Sequence, residues 1–284
     1  MKYKIAFPGE KGSFTELAAI EYFGSNHQYV CVPEFSEVFE KVISGNSDYG
    51  IVPIENSTAG SIHQNYDSLL ESKLCITGEI LLRVGQYLVA NKGVKRKDIR
   101  FFYSHPAAFA QCKKFLKKNP SIQRISMPNT ALAVKKIKDE KLTNAAAIAS
   151  MQAAIDFKMD VLAENIEDNE WNTTRFIIIC KRQERPLSNP VKTSIVFSTK
   201  NIPGALFKCL GVFALRDIDL FKIESRPVHG KGFQYIFYLD FAGNIKDEAQ
   251  KNAISHLQEI TTFFRHLGTY SCGKLVYPKY KKRA

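Results

Sequence analysis

Short apolar runs at residues 3–7, 29–32 and 49–54 alternate with two stretches of helical spacing, 14–23 and 35–44. No other feature constrains the fold as much. Such a βαβαβ rhythm buries its strands when the helices cross over a parallel sheet, which places the chain in the α/β class. The first crossover opens with a glycine-bearing loop, Pro8 to Ser13, and Ser13 or Thr15 is placed to cap the helix from Phe14. Its leading N–H groups would then face any bound anion. The third strand runs into VPIENSTAGSI, residues 52–62, so Glu55, Asn56 and Ser57 stand at a strand's carboxyl end. A helix is read from Ile62 to Leu70. In open α/β sheets that edge is the usual place for a ligand. A plainer reading has Asn56 and Ser57 only capping the helix.

A second block repeats the pattern. Strands are read at 75–82, 86–90, 100–103, 123–126 and 145–149, with one helix through Ala107, Phe109, Cys112 and Leu116 and another over 130–141. Ser104-His105-Pro106 makes the turn before the first of these, and the proline suits a first helical position. His105, ahead of that proline, reads as structural before it reads as catalytic. Residues 91–141 carry fourteen Lys/Arg against Asp98, Asp139 and Glu140, a net +11 out of +12 for the whole chain. With no nucleic-acid motif beside them, these charges read as a solvated helix face, or as a lobe that draws in a small anion.

The chain then reaches Asp168 to Phe176, DNEWNTTRF, which runs straight into Ile177-Ile178-Ile179-Cys180. The β-branched run predicts a buried strand, and the polar run stands at its mouth. Arg175 offers a planar, permanently charged fork for a carboxylate or phosphate, with the Thr174 hydroxyl beside it. A capped turn with a surface arginine is the plain alternative. Residues 181–192 hold two prolines and no periodicity, which predicts a linker. Beyond it come a strand (193–199), a helix containing Leu206, Leu210 and Phe213, strands at 219–228 and 233–241 with a hairpin turn over 229–232, a helix (247–264) and a strand (269–276). That order is βαββαβ, a ferredoxin-like arrangement. The basic stretch 279–283 reads as a disordered tail.

A length of 284 residues predicts two domains, and 45% hydrophobic content supplies their cores. No apolar run approaches the ~18 residues needed to span a bilayer. With no signal-peptide pattern after Met1 and six dispersed cysteines without a CxxC pair, a reducing cytoplasm is expected and neither disulfides nor zinc.

VPIENS (52–57), SHPAAFAQC (104–112), AAIAS (146–150) and DNEWNTTRF (168–176) together resemble the signature set of the prephenate dehydratases, shared with arogenate dehydratases. The tail, with PGAL (203–206) and IESRP (223–227), resembles an ACT domain. The resemblance implies a two-lobed, periplasmic-binding-protein-like catalytic domain over 1–181 and an α+β ferredoxin-like ACT domain over 192–284. It implies conversion of prephenate to phenylpyruvate, water and carbon dioxide by a carbon–oxygen lyase, feedback inhibition by phenylalanine, no cofactor or metal, and a homodimer or homotetramer. Ala107 stands where the family motif has a glutamine, which leaves Gln111 as the amide of that segment.

The substrate's two carboxylates and ring hydroxyl divide the work. Arg175 fits the side-chain carboxylate. Thr174 is carried over as the essential threonine, read as an oriented hydrogen-bond donor to the leaving hydroxyl. Glu55 would supply or relay a proton if the cleft buries it. Asn56, Ser57, Ser104 and Gln111 would orient the substrate. Gly204, Ala205, Leu206, Glu224, Ser225 and Arg226 are the expected phenylalanine contacts. Arogenate as the substrate, and a non-catalytic amino-acid-binding regulator, remain open alternatives. A membrane or nucleic-acid partner is not expected.

Overall fold

The computed structural model describes residues 2–182, 187–227 and 235–280. Its elements are β1 (Lys4–Pro8), α1 (Phe14–Phe23), β2 (Gln28–Val32), α2 (Phe35–Ser44), β3 (Tyr49–Asn56), β4 (Gly60–Ser61), α3 (His63–Glu71) and β5 (Cys75–Arg83). Next come β6 (Tyr87–Ala90), β7 (Phe101–Ser104), α4 (Pro106–Gln111), α5 (Lys113–Lys117), β8 (Gln123–Ser126), α6 (Thr130–Asp139), β9 (Ala145–Ala149), α7 (Met151–Asp156), β10 (Asp160–Ala163) and β11 (Thr173–Cys180). The rest are β12 (Val191–Thr199), α8 (Ala205–Ala214), β13 (Leu220–Pro227), β14 (Tyr235–Ala242), α9 (Glu248–Ile260), β15 (Thr261–Ser271) and β16 (Leu275–Val276). Two compact units result. One comprises residues up to 69, 80–177 and from 274 on; the other comprises 70–79 and 178–273.

The first unit holds two sheets. One runs β16-β5-β11-β3-β1-β2, with β4 beside β3; the other runs β10-β6-β9-β7-β8. β1 pairs in parallel with both β2 and β3, as the βαβαβ rhythm predicts. The second sheet is mixed: β7 is parallel to β8 and β9, whereas β6 is antiparallel to β9 and β10. β9 reads AAAIA and is buried on both faces. Ala145, Ala147 and Ala149 meet Val134 and Ile137 on one side, while Ala146 and Ile148 meet Leu88, Phe102 and Leu116 on the other. Alternation along a strand produces the two contacts, and the small side chains let helices close on both. The chain passes between the sheets twice, through residues 84–86 and 164–172.

Three elements differ from expectation. The helix read through Cys112 is two helices, broken there, because Asp168 accepts from the N–H groups of Lys113 (2.9 Å) and Lys114 (2.8 Å) and so caps a fresh start. The last long helix stops at Ile260, and Thr-Thr-Phe-Phe begins β15 instead, as β-branched and aromatic residues favour. The C-terminal stretch does not stay with the second unit: β16 pairs in parallel with β5 (Leu275↔Leu81), and Tyr280 packs edge-on against Tyr87 at 6.0 Å. Of the expected disordered tail, residues 281–283 lie outside the described residues, as does the turn over 229–232.

The second unit has the βαββαβ order, with sheet order β13-β14-β12-β15 and every pair antiparallel. Ile195, Phe197, Leu239 and Phe241 pack against Cys209, Phe213, Ile254 and Leu257 of α8 and α9. β13 alternates half-buried and exposed residues along its length. All six cysteines are free thiols, three of them buried.

Candidate active site

The carboxyl end of β3 and the start of β11 meet through a set of buried amides. Asn56 Oδ1 accepts from the backbone N–H of Thr58 (3.0 Å) and of Ala59 (2.9 Å), and from the Thr58 hydroxyl (2.7 Å). A backbone N–H can only donate, so these bonds fix which end of the amide is oxygen. Asn56 Nδ2 therefore points across the sheet and donates to Asn172 Oδ1 (2.8 Å), Thr173 O (3.2 Å) and Thr174 Oγ1 (2.9 Å). The Thr174 oxygen is thus committed as an acceptor, while its own proton has no acceptor among the described residues. Thr174 is 9% exposed, enclosed enough to be held in one place.

Arg175 follows directly. Its side chain is 8% exposed, and its Nη1 lies 3.2 Å from Glu55 Oε1. Arg175 pairs with Glu55 as Thr174 does with Asn56, and the two pairs follow one another along β3 and β11, where successive side chains alternate between faces. Glu55 does not stand in the dry pocket on which its expected acid role depended: its side chain is 29% exposed and ion-paired. Ser57 ties the strands at the rim: its N–H donates to Thr173 O (2.9 Å), and its Oγ accepts from Thr173 N (3.0 Å) and donates to Trp171 O (3.3 Å).

Gln111, at the end of α4, completes the set. Its Oε1 accepts from Asn172 Nδ2 and from Gln86 Nε2, both at 3.0 Å, and its Nε2 faces Asn56 Oδ1 at 3.4 Å. Gln111 O also accepts from Asp168 N at 2.7 Å, so the crossing at 164–172 is fastened to α4 and α5. Sequence reasoning did not assign Asn172, Thr58 or Gln86. The signals were present: Asn172 is in the polar run before β11, and Gln86 is the one polar residue at the head of an apolar strand.

Other expected residues make different contacts. Ser104 is fully buried, and its hydroxyl donates to Ile148 O at 2.6 Å, so it ties β7 to β9. His105 caps α4, its Nδ1 accepting from Ala107 N at 3.1 Å, and burial pushes its pKa down, which favours the neutral ring. The loop before α1 is not an open anion cradle. Glu16 Oε2 takes Gly12 N at 2.7 Å, and Ser13 Oγ takes Glu16 N at 3.3 Å. Gly12 has φ +83°, and a Cβ there would lie 2.8 Å from Ala153 Cα, so the loop closes on the start of α7. In the second unit, Gly204 has φ +75° at the N-terminus of α8, followed by half-buried Ala205 and Leu206. Glu224, Ser225 and Arg226 lie on β13, with Glu224 3.4 Å from Lys222 Nζ. Among the described residues, no group of three His, Cys, Asp or Glu side chains is placed to hold a metal ion, and no helix is long and apolar enough to cross a membrane.

The prephenate dehydratase family model matches residues 5–184. The chain belongs to the prephenate dehydratase family. It is 43% identical over 279 residues to arogenate dehydratase/prephenate dehydratase 2 of Arabidopsis thaliana, an alignment that covers 95% of this chain and 73% of that protein. A solved prephenate dehydratase from Arthrobacter aurescens, in complex with L-Phe, is 30% identical with a TM-score of 0.87, covering 94% of this chain and 90% of that one. A structure described as a quorum-quenching acylase, GqqA, is 27% identical with a TM-score of 0.85, covering 95% and 98%. The dehydratase assignment made from the sequence motifs holds.

Proposed function

We propose that the chain converts prephenate to phenylpyruvate, as a carbon–oxygen lyase, at the junction of β3, β11 and α4. The observation that carries this is the Thr174 hydroxyl: its oxygen accepts from Asn56, so its proton is available to a bound group. Arg175 takes the side-chain carboxylate, which displaces or shares its contact with Glu55. The ring carboxylate is left without a cation, because the electron pair of its C–C bond must flow into the ring as carbon dioxide departs. As the ring becomes aromatic, the C–O bond breaks, and the Thr174 proton stabilises the leaving hydroxyl. Glu55 orients the guanidinium through its ion pair, and its carboxylate passes on from solvent the proton that completes the water. Asn56, Asn172 and Gln111 hold the substrate in register. Ser57 joins the strands at the rim, and Ser104 supports the site through β7 rather than by contact.

Residues 1–181 would then form the catalytic domain, with β16 added from the far end of the chain. Residues from 192 would form an ACT domain in which Gly204, Ala205, Leu206, Glu224, Ser225 and Arg226 bind phenylalanine. Ala205 N donates to Ile202 O, and the next N–H groups at the start of α8 suit an amino-acid carboxylate. The L-Phe complex of the Arthrobacter relative supports that reading. A cytoplasmic homodimer or homotetramer is the matching assembly. The deciding experiment incubates the purified protein with prephenate and, separately, with arogenate. Phenylpyruvate absorbance in alkali, lowered by added phenylalanine, is the expected result. A protein that turns over neither compound yet binds phenylalanine would be a non-catalytic regulator.

A further inference from the structure

Gln86 lies on the first crossing between the sheets and is 2% exposed. Its backbone is fixed by the second crossing: N donates to Glu167 Oε2 at 2.7 Å, and O accepts from Ile166 N at 3.0 Å. Glu167 is itself held by Arg83 Nη2 at 2.6 Å, with its side chain 2% exposed. The side-chain amide of Gln86 donates to Gln111 Oε1 at 3.0 Å. Its orientation follows from the fixed amides next to it. The backbone N–H groups of Thr58 and Ala59 set Asn56, Asn56 sets Asn172, and Asn172 donates to Gln111 Oε1. That oxygen can meet only another donor, so Gln86 must offer its NH₂. The consequence is that Gln86 Oε1 is enclosed with no partner.

An enclosed, unpaired carbonyl is destabilising, and an apolar side chain of similar volume would avoid it. Only the N–H toward Gln111 offsets that cost. With two donors on its oxygen, Gln111 has one orientation left, its Nε2 toward Asn56. We infer that Gln86 is a positioning residue for the dehydration, acting through Gln111 to hold the substrate-binding amides in register. The role rests on the dehydratase reading.

The test is steady-state kinetics of the full-length protein and of Gln86→Leu, Gln86→Glu, Gln111→Leu and the Gln86→Leu/Gln111→Leu double variant across pH 5 to 9, with melting temperatures alongside. Gln86→Leu should lower kcat by about tenfold, the size of one lost hydrogen bond. Gln86→Glu is the sharper arm. A carboxyl group at 86 can donate to Gln111 only while protonated, so its kcat should fall as pH rises, along a limb the unaltered protein lacks. The double variant should lose less than the product of the single losses. Gln86→Leu with unaltered kcat and KM, multiplicative losses, or a Gln86→Glu profile parallel to the unaltered protein would each overturn the role. If Gln86→Leu does not fold, the Gln86→Glu profile decides. An unaltered protein inactive on both prephenate and arogenate would overturn the dehydratase reading itself, a distinct outcome.

Discussion

The strand ends of the two sheets in the first unit carry similar residues and use them differently. At β3 and β11, Asn56, Asn172 and Thr174 bond to one another across neighbouring strands, and one hydroxyl proton is left over. At β7 and β9, Ser104 and Ser150 spend their hydroxyls on backbone, and His105 spends its Nδ1 there. Ser104 donates to Ile148 O, His105 accepts from Ala107 N, and Ser150 donates to Gly12 O at 2.6 Å while accepting from Ala153 N at 3.0 Å. A polar residue at a strand's carboxyl end is therefore a candidate by position only. In the proposed mechanism, what singles out Thr174 is a hydroxyl proton that its hydrogen bonds to the protein leave unspent.

The sharpest test of that contrast compares two hydroxyls. Thr174→Ala should lower kcat by about 10²–10³ with little change in KM, since one oriented donor is lost beside an intact Arg175. Ser104→Ala should leave kcat within a few-fold. Similar losses in both would dissolve the distinction. Arg175→Lys comes next: an ammonium cannot reproduce the fork, and loss of one charge-assisted bond, about 1.5–3 kcal/mol, should raise KM by roughly 10–100-fold. An unchanged KM would place the carboxylate on another cation. Ser104→Ala should then show its effect in stability, by about 1–3 kcal/mol, because Ile148 O loses its buried donor; a thermal melt reads this directly.

The smallest expected effect concerns His105. Burial lowers its folded pKa below the ordinary 6.5, so the neutral ring contributes stability above about pH 6.5. That contribution is lost as pH falls through 6.5 toward the folded value, because the unfolded chain then binds the proton more readily. His105→Asn keeps a capping oxygen and removes the titration. The unaltered protein should therefore lose more in melting temperature than this variant on acidification. His266, also pushed down by burial, titrates in both and cancels. Equal losses would remove His105 from the pH dependence.

Local pattern was enough for β1 to β3, for the βαββαβ order of the second unit, and for the family motifs, because alternation, helical spacing and turn residues act over a few positions. It was also enough to single out Asn56, Gln111 and Thr174, which the fold joins in one hydrogen-bonded set, and Glu55 and Arg175, which it pairs. Tertiary structure decided the rest. The break at Cys112 depends on Asp168, some fifty residues later in the chain, and the place of β16 depends on β5. Ser104 and Thr174 look alike in sequence, as hydroxyls next to strand ends. Their difference comes from Ile148 and Asn56, partners brought up from 44 and 118 residues away. A side chain's chemistry is set by its own atoms, but which of its hydrogen bonds remain unspent is set by neighbours that only the folded chain supplies.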